Sequence, residues 1–247
     1  MNPVLEARGV GKLYAPDVQA LVDVDLAVAA GETVALIGES GSGKTTLLRM
    51  FNRGEQPSSG SVLVRGKDLA GSDPIELRRR TGYVQQDGGL LPHWTVERNV
   101  SLVPELLGWD AARRRERAGE LLEQVGLDPA VHGPRYPASL SGGQRQRVAF
   151  ARALAADPEV VLLDEPFGAL DALTRAELQQ EFLSLKERLG KTMLLVTHDL
   201  DEAFRLADRV AVLRGGRLVQ VGEPQTLRAQ PADPYVSALL QRAGVSS

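Results

Sequence analysis

The sequence of 247 residues contains no cysteine, and aromatic residues make up only 4% of it. Without cysteine the chain has no disulfide bonds, no thiolate-bound metal and no cysteine nucleophile. Its three histidines, at positions 93, 132 and 198, are too scattered to indicate a histidine-rich metal site. The formal net charge is −3, from 29 basic and 32 acidic residues. This balance argues against a protein that binds nucleic acid mainly through a basic surface.

Long apolar runs are also missing. None approaches the roughly 20 residues that a membrane-spanning helix requires, and residues 1–14 lack the apolar core of a signal peptide. We therefore expect a soluble, cytoplasmic chain whose role at a membrane would depend on a partner.

Short apolar runs are present, and they predict strands. Three runs are apolar at consecutive positions, which is typical of parallel strands buried on both faces. They span residues 33–37, 160–163 and 193–196. Residues 210–213 and 218–221 flank a glycine-rich turn and predict a hairpin. Residues 21–28 alternate apolar and polar side chains, which predicts a half-exposed antiparallel strand.

Helical patterns lie between these strands. They cover residues 44–53, 111–125, 143–155, 174–189 and 200–207. Alternating strands and helices predict an α/β fold with a mainly parallel sheet. Residues 91–157 contain helices but no convincing strand, so we expect a helical subdomain inserted into the α/β core.

The strongest motif is Gly-Glu-Ser-Gly-Ser-Gly-Lys-Thr, which fits G-x-x-x-x-G-K-[ST] between a strand and a helix. The backbone N–H groups of such a loop bind nucleotide phosphates. Lys44 would approach the β- and γ-phosphates, and the Thr45 hydroxyl would ligate Mg²⁺. The alternative is a glycine-rich turn that matches by chance. The residues predicted to bind ATP here are Gly38, Glu39, Ser40, Gly41, Ser42, Gly43, Lys44, Thr45 and Thr46.

Two adjacent carboxylates, Asp164 and Glu165, end the buried run that begins at residue 160. Paired with a phosphate loop, they predict a hydrolytic site, in which Asp164 holds Mg²⁺ through water and Glu165 polarises the attacking water. Alone, two acids at the end of a strand could simply cap a helix.

A third motif, Ser141, Gly142, Gly143 and Gln144, opens the predicted helix at 143–155, where N–H groups and the helix dipole attract anions. With Leu140 it resembles the signature sequence of ATP-binding cassette (ABC) proteins. The resemblance implies that two copies of the chain pack head to tail, each signature covering the γ-phosphate bound by the other copy. An ordinary capped helix is the alternative.

The resemblance extends over nearly the whole chain and implies further roles. Tyr14 would stack on adenine, although a tyrosine that only packs in the core is the alternative. Gln86 would reach Mg²⁺ and the attacking water; Gln85 stands where the family has an apolar residue. Asp171 would contact the other copy. His198 would contact the γ-phosphate, whereas a lone histidine at a strand end is more often structural.

The resemblance narrows to one branch of the family. Residues 49–53, 81–97 and 103–109 resemble the ATPase subunits of importers for osmoprotectants such as glycine betaine, choline and carnitine. Residues 54–55 depart from that pattern. The resemblance implies a separate membrane permease, an extracytoplasmic solute-binding protein that acts indirectly, no nucleic-acid partner, and a peripheral position on the cytoplasmic face of the inner membrane. Leu90, Leu91 and Trp94 would either pack under the helical subdomain or line a groove for a permease helix.

The implied fold is that of the P-loop NTPases, RecA-like, with an N-terminal antiparallel β subdomain and an inserted helical signature subdomain. We expect a single domain in which residues 1–90 and 158–225 form the ATP-binding core. Residues 91–157 would form the helical subdomain and 226–247 a helical tail, without a C-terminal regulatory domain.

Other functions remain open at this point. The imported solute could be of another class, such as an amino acid or a sulfonate. A non-transport cassette ATPase of DNA repair or translation usually carries two cassettes, a long coiled coil or a zinc module, none of which is found here. A module that holds nucleotide without turnover fits poorly with the set Lys44, Asp164, Glu165 and His198.

Overall fold

The computed structural model describes residues 3–244. The strands in this range are β1 (Leu5–Tyr14), β2 (Val18–Val28), β3 (Thr33–Ile37), β4 (Ser59–Val64), β5 (Lys67–Asp68), β6 (Thr81–Val84), β7 (Val160–Asp164), β8 (Thr192–Val196), β9 (Arg209–Arg214) and β10 (Arg217–Gly222). The helices are α1 (Lys44–Met50), α2 (Pro74–Arg79), α3 (Val96–Val100), α4 (Leu102–Leu106), α5 (Ala111–Gln124), α6 (Pro129–His132), α7 (Gly142–Leu154), α8 (Ala172–Leu189), α9 (Leu200–Leu206), α10 (Pro224–Ala229) and α11 (Pro234–Arg242). A short 3₁₀ helix, Pro137–Ser139, precedes α7.

The chain divides into two compact units. The first consists of Met1–Leu77 and Thr192–Ser247, and the second of Arg78–Lys191. The helical segment expected at 91–157 lies wholly within the second unit. The predicted division at residues 90, 157 and 225 differs from this grouping and stays a prediction. The first two and the last three residues that it covers lie outside the described range.

The first unit contains strands of two kinds. Strands β2, β1, β4 and β5 are neighbours in that order and pair antiparallel. Strand β3 pairs parallel with β8 on one side and β9 on the other, and β9 forms a hairpin with β10. Every residue of β3 and β8 is buried, as expected for strands covered on both faces.

The second unit combines one parallel strand pair, β6 and β7, with helices. Its core includes three phenylalanine rings whose centroids lie 5.6–5.9 Å apart, namely those of Phe150, Phe167 and Phe182. Such offset and edge-on ring contacts stabilise a core beyond the area they bury. Among residues 91–157, all of which are described, no strand occurs. None of the helices found between residues 3 and 244 has the length and apolarity to cross a membrane.

Candidate functional site

In the first unit, the loop between β3 and α1 encloses the side chain of Lys44. Its ammonium group donates hydrogen bonds to the carbonyl oxygens of Gly38 and Glu39, both at 2.9 Å, and the residue is only 7% exposed. A buried cation needs polar partners, and here the loop itself supplies them. The loop therefore holds a positive charge at its centre, where an anionic ligand would meet it.

The path of this loop requires glycine at two positions. Gly38 and Gly43 have φ angles of 149° and 98°, which side chains rarely adopt. A Cβ on Gly38 would overlap the carbonyl oxygen of Leu213, and one on Gly43 would collide with the backbone of Ala20. A side chain at either position would therefore displace the loop from its neighbours, which explains why glycine stands at both.

His198 is at the same edge of the first unit as this loop. Strands β3 and β8 are parallel, with Leu36 opposite Val196, and the Thr197 N–H donates to the Leu36 carbonyl at 3.2 Å. The carboxyl ends of parallel strands meet at one edge of a sheet, so His198 and Gly38 follow these strands side by side. The His198 side chain is exposed.

Tyr14, on β1, is half-buried, and the ammonium of Lys12 lies 4.7 Å from its ring centroid. Lys12 also forms a 3.0 Å ion pair with Glu55. Burial alone would raise the pKa of Glu55, but hydrogen bonds from Lys12 and Tyr14 and nearby positive charges lower it overall. This pairing explains why a charged residue is tolerated at position 55.

In the second unit, Asp164 ends β7 and is 6% exposed. The hydroxyl of Tyr83, on the neighbouring strand β6, donates to Asp164 Oδ2 at 3.0 Å. Glu165 follows with φ at 48°, a left-handed conformation that is uncommon outside glycine and tends to mark functional sites. The structure thus turns the chain sharply at the second of the two predicted acids.

Gln86 and Glu165 come together at Gly168. A Cβ built on Gly168 would lie 3.5 Å from Glu165 Oε2 and 3.7 Å from Gln86 Nε2. The amide and the carboxylate therefore lie on the same side of this glycine. Gln86 and Glu165 are 79 positions apart in the sequence. The fold nevertheless brings their side chains to the same glycine, just after the turn of the backbone at Glu165.

The signature segment begins α7 with a capping box. The Ser141 hydroxyl accepts from the Gln144 N–H at 3.2 Å, and the Ser141 N–H donates to the Gln144 side chain at 3.0 Å. Ser141 itself is exposed. A Cβ on Gly143 would lie 2.7 Å from the methyl group of Thr174, whose N–H donates to the Asp171 carboxylate that caps α8. Three predicted groups, Ser141, Gly143 and Asp171, thus lie at the starts of two adjoining helices.

The loop after Gln86 is tied to helices at both of its ends. Arg152, on α7, donates to the carbonyl oxygens of Gly88 and Gly89 at 2.6 and 2.7 Å, and burial lowers the pKa of its guanidinium. The fully buried Asn99 accepts from the Leu91 N–H at 2.8 Å and donates back to the Leu91 carbonyl at 3.1 Å. These contacts fix the backbone that carries the predicted apolar cluster.

The members of that cluster, Leu90, Leu91 and Trp94, are half-buried, and the Arg98 guanidinium lies 4.0 Å from the Trp94 ring. A groove of about 250 Å³ lies beside the same loop. Its walls include Tyr83, Gln85, Gly89, Leu102 and Val103, so the groove is lined by other residues than the predicted cluster.

Each unit, taken by itself, offers oxygen atoms of the kind that Mg²⁺ prefers. The second unit offers the Asp164 carboxylate, and the first unit offers the Thr45 hydroxyl. Among residues 3–244, no group of three or more histidine, cysteine, aspartate or glutamate side chains could form a complete metal cage. Mg²⁺ bound through one or two side chains together with water and phosphate needs no such cage.

Tyr83, Asn99 and Arg152 were not predicted as functional residues. Tyr83 and Arg152 contact partners far along the chain, Asp164 and the two glycines 88 and 89 respectively, whereas Asn99 contacts Leu91, eight residues away. For Tyr83, one clue was present in the sequence, which is its position three residues before Gln86. That position does not reveal that its hydroxyl contacts Asp164.

Comparison with known proteins gives consistent matches. The family model described as ABC transporter matches residues 21–168. A glycine betaine/carnitine/choline transport ATP-binding protein of Bacillus subtilis is 48% identical over 237 residues, covering 96% of this chain and 62% of the relative. An osmoprotectant import ATP-binding protein of Salmonella typhimurium is 49% identical over 222 residues, covering 90% of this chain and 58% of the relative. The chain therefore spans less than two thirds of the length of these two relatives.

A solved structure resembles the chain over most of its length. It is a dimeric structure of a post-hydrolysis state of an ATP-binding cassette bound to ADP and Pi. The two have a TM-score of 0.79 and 34% sequence identity, covering 89% of this chain and 98% of the other. This likeness confirms the predicted fold class.

Proposed function

Because the chain belongs to the ABC transporter family, we propose that it is the ATP-binding and ATP-hydrolysing subunit of an importer for quaternary ammonium osmoprotectants. The observation that carries the proposal is the loop that encloses Lys44, within a chain 48–49% identical to two transport ATP-binding proteins of that kind. The reaction is the hydrolysis of ATP to ADP and phosphate, coupled to solute uptake through a separate permease.

In the first unit, the phosphate loop binds the β- and γ-phosphates. Its N–H groups donate to phosphate oxygens, Lys44 contributes the positive charge, and Thr45 and Thr46 lie at the start of α1. Tyr14 stacks on the adenine ring. His198 donates a hydrogen bond to the γ-phosphate from the edge of the sheet where the loop begins.

In the second unit, Asp164, Glu165 and Gln86 carry the hydrolytic roles. Asp164 and Gln86 would hold Mg²⁺, which when bound supplies positive charge to the phosphate oxygens. Glu165 accepts a hydrogen bond from the attacking water, and Gln86 helps to orient it. The placement of Gln86 and Glu165 on the same side of Gly168 supports this pairing.

The first partner is a second copy of the chain. Ser141, Gly142, Gly143 and Gln144 would cover the γ-phosphate bound by the other copy, and Asp171 would contact that copy. The start of α7 at the exposed Ser141 supports this role, because the helix dipole attracts anions to a helix N-terminus. The dimeric arrangement of the related cassette bound to ADP and Pi is a further argument.

The second partner is a membrane permease, and it places the chain on the cytoplasmic face of the cell membrane as a peripheral subunit. The groove beside the loop that follows Gln86 would receive a cytoplasmic helix of the permease. Its walls include the apolar side chains of Leu102 and Val103. A solute-binding protein outside the membrane would act only through the permease.

The test of this function is reconstitution of the chain with the permease subunits of an osmoprotectant importer. We expect slow Mg²⁺-dependent ATP hydrolysis by the chain alone, faster hydrolysis with the permease, and ATP-driven uptake of radiolabelled glycine betaine, choline or carnitine into vesicles. Absence of hydrolysis would contradict the enzymatic proposal. Uptake of an amino acid or sulfonate instead would contradict only the osmoprotectant assignment.

Val103→Glu tests the groove. Val103 is half-buried in a groove wall that also contains Arg78, Arg79 and Arg152. A longer, charged side chain at position 103 would fill part of the groove and oppose an apolar helix face. We expect the permease to lose its stimulation of ATP hydrolysis and the vesicles to lose uptake. Val131→Glu, at a residue 55% exposed on α6, is the matched control and should behave as wild type. Full stimulation by the permease in Val103→Glu would exclude the groove as its docking site.

A further inference from the structure

Helix α11 places one side chain against the phosphate loop, and both belong to the first unit. Tyr235, in the first turn of α11, is only 9% exposed. Its hydroxyl accepts a hydrogen bond from the backbone N–H of Glu39 at 3.3 Å. The two residues are 196 positions apart in the sequence, so the helix that contains Tyr235 returns to the loop that begins at Gly38.

Three further contacts fix the position of this tyrosine. The Asp233 carboxylate caps α11, because it accepts from the Tyr235 N–H at 2.7 Å and from the Val236 N–H at 3.1 Å. The Arg214 guanidinium lies 4.7 Å from the centroid of the Tyr235 ring, which is a cation–π contact. Backbone and ring are therefore both held, and they direct the hydroxyl toward the loop.

The peptide group between Gly38 and Glu39 connects this contact to Lys44. Its carbonyl oxygen accepts from the Lys44 ammonium at 2.9 Å, and its N–H donates to the Tyr235 hydroxyl. Because a peptide group is planar and rigid, holding the N–H also fixes the direction of the carbonyl oxygen. The Tyr235 hydroxyl therefore orients a group that holds the buried cation of the loop.

We propose that Tyr235 is a positioning residue for the phosphate loop and thereby raises the affinity of the chain for nucleotide phosphates. The inference rests on the proposed function, because it needs this loop to bind ATP. Tyr235 acts through the peptide group between Gly38 and Glu39. Without the hydroxyl, that group would spend part of its time in orientations that do not bind, and apparent affinity falls with the fraction of molecules that can bind.

Tyr235→Phe removes only the hydroxyl and keeps the ring that Arg214 contacts. We expect the affinity for ATP, measured by isothermal titration calorimetry, to fall by about three- to tenfold, which matches the net strength of one hydrogen bond. The KM for ATP should rise by a similar factor, while kcat at saturating ATP stays within about twofold of wild type. Inorganic tripolyphosphate, which has no adenine, should compete with a fluorescent ATP analogue and lose affinity by the same factor.

Tyr136→Phe, at a tyrosine 52% exposed, makes the same chemical change and should alter none of these quantities. A purely structural role for Tyr235 would reduce the fraction of folded molecules, which lowers the calorimetric stoichiometry and kcat but leaves the affinity unchanged. That result, or wild-type affinity in Tyr235→Phe, would overturn the inference. A wild-type chain that binds no ATP would instead contradict the proposed function, which does not depend on Tyr235.

Discussion

Glu165→Gln is expected to lower kcat for ATP hydrolysis by about 10²–10⁴-fold while leaving ATP affinity within a few-fold of wild type. Glutamine has nearly the same shape as glutamate but cannot accept a proton from the attacking water. Gln86 lies on the same side of Gly168 as the Glu165 carboxylate, so its amide remains to orient water and gives some residual turnover. Phosphate release and fluorescent-nucleotide binding measure the two effects separately.

Two comparison variants make this result specific. Glu187→Gln, at an exposed glutamate on α8, makes the same chemical change away from the site and should keep full activity. Lys44→Ala removes the buried ammonium at the centre of the phosphate loop and should lose nucleotide affinity itself. Turnover within a few-fold of wild type in Glu165→Gln would remove Glu165 from its assigned role.

The buried strands were predictable because their pattern follows from burial. Residues 33–37 and 193–196 are apolar at every position or nearly so, and they form β3 and β8 with every residue buried. The hairpin at 210–221 was signalled by its Gly-Gly turn and is found as β9 and β10. In each case the local sequence carries the whole signal.

Strand β1 was not predicted, and its structure explains why. Gly9 and Gly11 lie within the strand, and its pairing with β2 shifts register between Ala7 and Val10 and again beyond Val10. A strand with such irregular pairing has no regular alternation of apolar and polar side chains. It is stabilised by pairing with β2 on one side and β4 on the other, which no local pattern reveals.

The same contrast holds for the candidate site, between motifs of consecutive residues and contacts between residues far apart in the sequence. The phosphate loop and the signature segment each consist of consecutive residues. Residue types and spacing within each stretch were therefore sufficient to predict them. The contact between Tyr83 and Asp164 joins residues 81 positions apart, and that between Arg152 and Gly88 joins residues 64 apart. Such contacts depend on strand register and helix packing, and neither can be read from the spacing of residues in the sequence. The roles of the individual site residues stay predictions until variants are measured.

Ser141→Arg is expected to abolish ATP hydrolysis while each copy of the chain still binds ATP. Ser141 caps the start of α7 and is exposed, and we propose that the N–H groups of this helix start bind the phosphate of the other copy. An arginine side chain there would occupy the space in which the other copy's γ-phosphate should lie. Because Ser141 is not part of the phosphate loop at residues 38–46, nucleotide binding by a single copy should be unaffected.

The sharpest form of this test uses Glu165→Gln as the background, because trapped ATP should then shift the chain from monomer to dimer in size-exclusion chromatography with light scattering. Adding Ser141→Arg should return it to monomer with ATP still bound. Ser184→Arg, at an exposed serine on α8, introduces the same side chain and should leave the dimer intact. A dimer that persists in the Ser141→Arg variant would contradict the head-to-tail arrangement. Loss of ATP binding in that variant would show instead that Ser141 serves the nucleotide of its own copy.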